Sequence, residues 1–248
     1  MKAFLLRRFW LLRKRFISTA SLIFLLPIIV FLTISIGMKN IIMETMGNIS
    51  YDEWVYPGLI MIINIIIIAP IIFRDFHYSR FESKTLVTLS LSPLSKFQIV
   101  SYLIISAIIE GVALSLLPIF ILLYLMEISI GILSFIYTII AVCLFSLIIG
   151  NALTTLSLSS NRINTIFIGA SIMSLFIIYS SQLLIEFEFY PESVIDIFKF
   201  LPTSMISNWY RSIVFQGIFN LELFFIPLSI GIVWIFLNSM LMKRVLRQ

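Results

Sequence analysis

Long apolar runs alternate with short polar breaks along the chain, and six of the runs reach the length of a membrane-crossing helix. They cover roughly 18–38, 54–73, 97–125, 129–157, 164–185 and 221–242. Each holds the roughly 20 apolar residues that about 30 Å of hydrocarbon demands. The pattern predicts an all-α integral membrane protein with one domain over 1–248. Within it, 1–17 form an interfacial helix, 18–185 the first five spans, 186–220 an outer segment, and 221–248 the sixth span and tail.

The stretch before the first span has a different periodicity. In residues 2–16, KAFLLRRFWLLRKRF, one helical stripe carries Leu5, Phe9, Leu12 and Phe16, while Arg7, Arg8, Lys14 and Arg15 lie opposite and Arg13 adds to the basic set. Such a helix is expected to lie in the membrane interface, cations toward anionic headgroups. A signal peptide is the competing reading, but the basic region is long and no small-residue cleavage site follows, so the segment is expected to be retained. Pro27 predicts a kink in the first span, whose freed carbonyl needs a partner in the bundle. Trp54 and Tyr56 are expected to anchor the second span at the interface.

The polar break that organises the chain is 74–98, RDFHYSRFESKTLVTLSLSPLSKFQ. Ser79 followed by Glu82 has the spacing of a capping box, which predicts a short helix from about Arg80 to Ser90. Phe81, Leu86 and Leu89 fall in one arc of that helix, a narrow apolar face suited either to a partner's groove or to lipid headgroups. Ser92 and Pro93 look like a cap and first residue for the third span. Residues 191–200 and 204–216 are too apolar for a free loop and too short to cross, so they read either as re-entrant helices or as helices flat on the outer surface.

Charge then sets orientation. With both termini inside, 14 of the 17 Lys and Arg fall on the inner side, in 1–17, 74–98, 158–164 and the tail with Lys243, Arg244 and Arg247. Only Lys39, Lys199 and Arg211 fall outside, together with acids such as Glu44, Asp52 and Glu186. That asymmetry predicts cytoplasmic termini and a plasma (inner) membrane location, with a bacterial membrane the best fit, and it explains the net charge of +5 without nucleic acid. Lone Cys143 and His77 exclude an intrachain disulfide and a usual zinc site.

Polar residues inside the spans are the remaining candidates. Glu110 is the only acid deep within one, where an ionised carboxylate costs about 2.5–3.5 kcal/mol, so it should face protein or water. It reads either as a pathway group or as a protonated acid bonded to Ser106 or Asn151. Asn64, Asn151 and Gln182 are candidate interhelical hydrogen-bond partners.

Taken together, Glu82, Thr85, Leu86 and Pro93 ahead of the third span, then Leu201, Pro202, Thr203, Arg211 and Gly217 ahead of the sixth, resemble the membrane subunits of type-2 ATP-binding-cassette exporters, also called type V exporters. The family's Gly before that Thr is Lys84 here. The resemblance covers the whole chain. It implies an N-terminal interfacial helix, a coupling helix between spans two and three that an ATPase grips through Phe81, Glu82, Thr85, Leu86 and Leu89, and two short re-entrant outer helices with Pro202, Arg211 and Gly217. The implied partners are an ATP-binding-cassette ATPase, a second copy or a related permease, and the bilayer.

The chain itself lacks G-x-x-x-x-G-K-[ST], so it is expected to bind no cofactor, with ATP and Mg on the partner, and to be no enzyme. A membrane-embedded enzyme has little support, since no G-x-S-x-G and no H-E-x-x-H is present. A six-span secondary carrier or substrate-binding protein that needs no ATPase is the stronger rival, although no internal repeat points to it. A subunit acting in immunity or regulation is a third reading.

Overall fold

A computed structural model describes residues 1–39 and 49–246; Glu44 and Arg247 lie outside the described residues. The described residues are helical, without a strand, and six helices are long and apolar enough to cross a membrane. In chain order they are α1 (Lys2–Lys14), α2 (Phe16–Lys39), α3 (Tyr51–Phe81), α4 (Thr85–Ser90), α5 (Lys96–Leu125), α6 (Ile132–Ser159), α7 (Ile163–Ser180), α8 (Glu192–Lys199), α9 (Pro202–Gln216) and α10 (Leu221–Val245). Spans one to six are α2, α3, α5, α6, α7 and α10.

Span 2 is the axis. Most side chains of α3 from Tyr51 to Ile72 are buried, with Glu53, Ile66 and Pro70 exposed, because α5 and α6 pack along it and α10 closes the group against both. A helix apolar all round belongs in such a position. The outer helices α2 and α7 instead expose Leu22, Phe24, Ile29, Phe167, Ile168 and Ile172, faces suited to hydrocarbon. Two polar locks cross this packing. Asn64 of α3 donates to Ser115 of α5 at 3.1 Å and accepts from Ser146 of α6 at 2.8 Å. Asn238 of α10 donates to Asn151 of α6 at 3.0 Å and accepts from Thr155 at 2.7 Å.

Several sequence expectations change at the helix ends. Trp54 and Tyr56 are buried in protein rather than set at a lipid interface. Arg211 of α9 lies 3.8 Å over the Trp54 ring and takes the space an interfacial anchor would leave to headgroups. Span 2 does not stop at residue 73. It runs on through a π-helical turn, Arg74–Tyr78, to Phe81.

Ser79 therefore sits inside a helix and donates to the Arg74 carbonyl at 3.0 Å instead of capping toward Glu82. The separate short helix begins at Thr85, after Lys84 takes a left-handed backbone with φ +52°. Span 3 is capped not at Ser92 and Pro93 but by a capping box at Ser95 and Gln98, where both reciprocal bonds form. Ser92 is occupied, donating to the Leu89 carbonyl. Pro27 lies inside α2, and a π-helical turn follows at Phe31–Ser35.

Of the two short helices before span 6, α9 is built into the bundle against α6 and α10, with Pro202 opening it and left-handed Gly217 ending it. The Gly217 and Ile218 N–H groups donate to the Ile213 and Ser212 carbonyls, which closes its last turn. α8 has no fully buried residue and leans on α9, its Phe198 ring surrounded by Phe176, Phe187 and Tyr190.

Candidate functional site: a buried ring of charge

Three elements meet where α1 crosses span 3. Arg8, on α1, is buried, and its guanidinium forks between Asp75 at the end of span 2 and Glu110 of span 3. The same guanidinium donates to the Leu103 carbonyl at 2.9 Å. Arg74 reaches the same two acids, donating from Nε to Asp75 at 3.2 Å and from Nη2 to Glu110 at 3.0 Å. Two cations and two acids thus form a closed, neutral ring in which each guanidinium touches both carboxylates. A planar guanidinium, with several donors spread along its edge, suits this bridging of two carboxylates better than the compact ammonium of Lys.

Local structure explains how these residues meet. A π-helical turn adds a residue to the helical repeat, shifts the side chains that follow, and is common at functional sites. Here it spans Arg74–Tyr78 and brings both Arg74 and Asp75 toward α5. Just beyond, His77 stacks between Phe73 and Phe81, with centroids at 5.0 and 4.8 Å, and Arg80 lies over Phe81 while donating to the Leu158 carbonyl of α6.

The placement of α1 is a correction to the amphipathic reading. Arg8 does not share a headgroup face with Arg7, Lys14 and Arg15. It points into the protein beside Phe4, whose ring packs on Tyr102 at 5.7 Å. Phe9 and Trp10 point outward, Trp10 with 65% of its surface exposed, as do Arg13, Lys14 and Arg15. Arg7 is half-buried beside the ring. The physical reason is that Asp75 and Glu110 are buried acids and need cations closer than lipid can bring them.

Glu110 is accordingly an ion-pair member. It bonds neither Ser106, which donates to its own helix at Leu103, nor Asn151, which serves the lock with span 6. Asn64 does join spans, as described above. Gln182 lies past the end of span 5 with φ +55° and accepts from Arg211 through both its side-chain and main-chain oxygens. Burial pulls the Arg211 guanidinium below its ordinary basicity, and the Glu186 carboxylate works against that.

In the segment between spans 2 and 3, Leu86 has no exposed surface and anchors α4 in the chain's own core. Thr85 and Leu89 are half-buried, Phe81 and Glu82 exposed; the most exposed apolar side chains are Val87 and Leu91, the latter at 83%. Among the described residues no group of three or more His, Cys, Asp or Glu is set to hold a metal. The arrangement can transmit position, since it ties three helices by charge, but it offers no nucleophile and base pair.

The fold and this site define an all-helical, multi-pass membrane protein with a buried charge ring at its basic end. No protein-family model, no curated protein and no solved structure matches the chain.

Proposed function

We propose that the chain is the membrane subunit of an ATP-driven exporter of the type-2 ATP-binding-cassette kind, working with a separate ATPase and with a second permease chain. The observation that carries this reading is the segment 82–95. It is a short helix hung from the end of span 2, pinned to the bundle by Leu86 and turning Val87 and Leu91 outward. A segment fixed on one side and presenting Val87 and Leu91 among polar residues on the other is fitted to receive a push from a soluble partner and pass it to spans 2 and 3.

The backbone at Lys84 adds support. That position carries Gly in the family the sequence resembles, and here Lys84 holds the left-handed conformation that Gly adopts most readily. The order of elements agrees as well, with α1 before span 1 and two short helices before span 6. In this reading both termini and segment 82–95 are cytoplasmic, α9 is the re-entrant helix, and cargo leaves the cytoplasm or inner leaflet.

The test is a mild-detergent pull-down of the tagged chain from its native membrane, with an ATPase assay on the eluate. An ATP-binding-cassette protein is expected in stoichiometric amount, released by Val87→Asp combined with Leu91→Asp. Leu86 is not the residue to change, since a buried aspartate would damage the fold itself. Recovery of the chain alone, without ATP hydrolysis, would move the assignment to a carrier that needs no ATPase.

A further inference from the structure

We propose that Arg8 is the removable member of the charge ring, making α1 a two-state latch that is either shut across the basic ends of spans 2 and 3 or released into the headgroup layer. Four observations converge on it.

The ring does not depend on Arg8 to bridge its acids. Arg74 already donates to both Asp75 and Glu110, so withdrawal of Arg8 leaves a pair of carboxylates still joined by one guanidinium. Arg74 cannot leave in the same way. It belongs to the long central helix, whose burial fixes it.

Arg8 belongs to a helix of 13 residues that packs chiefly on α5 and α2. The chain then departs from helical geometry at Arg15, with φ −117° and ψ 19°, which supplies a hinge before span 1 begins.

The far side of α1 is already made for another environment. Leu6, Phe9 and Trp10 are exposed next to Arg13, Lys14 and Arg15, so a released α1 keeps an apolar face for acyl chains and cations for headgroups. Arg8 can then snorkel to the same layer along its aliphatic stem.

Lastly, the ring is seated on the π-helical turn, Arg74–Tyr78, that leads into segment 82–95. A shut α1 therefore immobilises the turn from which α4 hangs, and Arg8 is a positioning residue for that segment. This consequence for coupling rests on the exporter reading; the latch itself does not.

The experiment uses the full chain, purified into lipid nanodiscs, with Cys143→Ser to remove the native thiol and Phe4→Cys plus Tyr102→Cys to place one thiol on each side of the docked contact. The rate of oxidative crosslinking reports docking of α1. Arg8→Gln is expected to slow it about tenfold, whereas Arg74→Gln should change it less than about twofold, because Arg8 alone still reaches both acids.

Equal slowing by the two substitutions would reduce the ring to a structural brace, and an undiminished rate with Arg8→Gln would show that packing alone docks α1; either overturns the latch. If Arg8→Gln is not monodisperse, Arg8→Lys carries the test. Its compact ammonium keeps the charge and three donors but lacks the spaced planar fork, so an intermediate rate is expected; a parental rate would show that the fork does not hold α1 and refutes the proposal. The crosslink is read on the chain alone, so a missing ATPase would defeat the exporter reading and leave the latch standing.

Discussion

At the scale of the residue, unusual backbone and buried charge repay the closest attention. Lys84 holds φ +52° with no glycine to relieve it. Non-glycine residues in that region carry strain, and the side chain is exposed, so nothing else is lost when it is removed. Relief of the left-handed strain, roughly 1–2 kcal/mol, offsets the roughly 0.5–1 kcal/mol that Gly costs through the more flexible unfolded chain, so Lys84→Gly is expected to leave thermal stability in detergent unchanged or slightly raised, and a clear fall in the melting temperature would contradict this. Glu110 shows what the sequence could and could not tell. A lone acid in a span demanded a partner, and that much was legible. Its partners lie 102 positions earlier and 36 positions earlier in the chain, and no local spacing predicts a bond of that range. The clue was the coincidence of one uncompensated acid with an excess of arginine on a short N-terminal helix.

Elements show the same division. All six spans were visible from length and hydropathy, because membrane helices are written in composition. Their ends were less visible. Ser79 and Glu82 have the spacing of a cap but do not act as one, since the aromatic ladder Phe73, His77 and Phe81 carries the helix past them. The box at Ser95 and Gln98, of the same chemical type, is the one that forms. A cap motif is decided by whether the preceding residues are better off helical, and tertiary contacts settle that.

Crossings of elements follow a similar logic at Gly58. A Cβ there would lie 1.9 Å from the Leu183 carbonyl oxygen, so span 2 and the segment after span 5 touch backbone to backbone. Gly58→Ala is expected to cost at least about 2 kcal/mol, seen as a lower melting temperature of the purified protein. Unchanged melting would mean that the segment around Leu183 moves aside freely.

For the whole molecule, the decisive property is orientation. Basic residues gather at one end, and on the proposed reading the positive-inside rule predicts that this end faces the cytoplasm. In a Cys143→Ser background, Ser83→Cys should react with an impermeant thiol reagent only in inside-out vesicles, and Ser129→Cys only in right-side-out cells. Reversed labelling would invert the topology and remove segment 82–95 from reach of any cytoplasmic ATPase. The expectation of this orientation, which the labelling decides, was legible in the charge count. The folding of α1 back onto the bundle was not, because an amphipathic helix looks the same in sequence whether its polar side meets headgroups or buried acids.

The charge ring also bears on how the chain is made. Its members emerge from the ribosome in the order Arg8, Arg74, Asp75, Glu110, cations ahead of acids. Span 3, which bears the acid least tolerable to lipid, is thus synthesised last of the three elements, when its counter-charges already wait at the membrane. Assembly can proceed without a stage at which a bare carboxylate must sit in hydrocarbon.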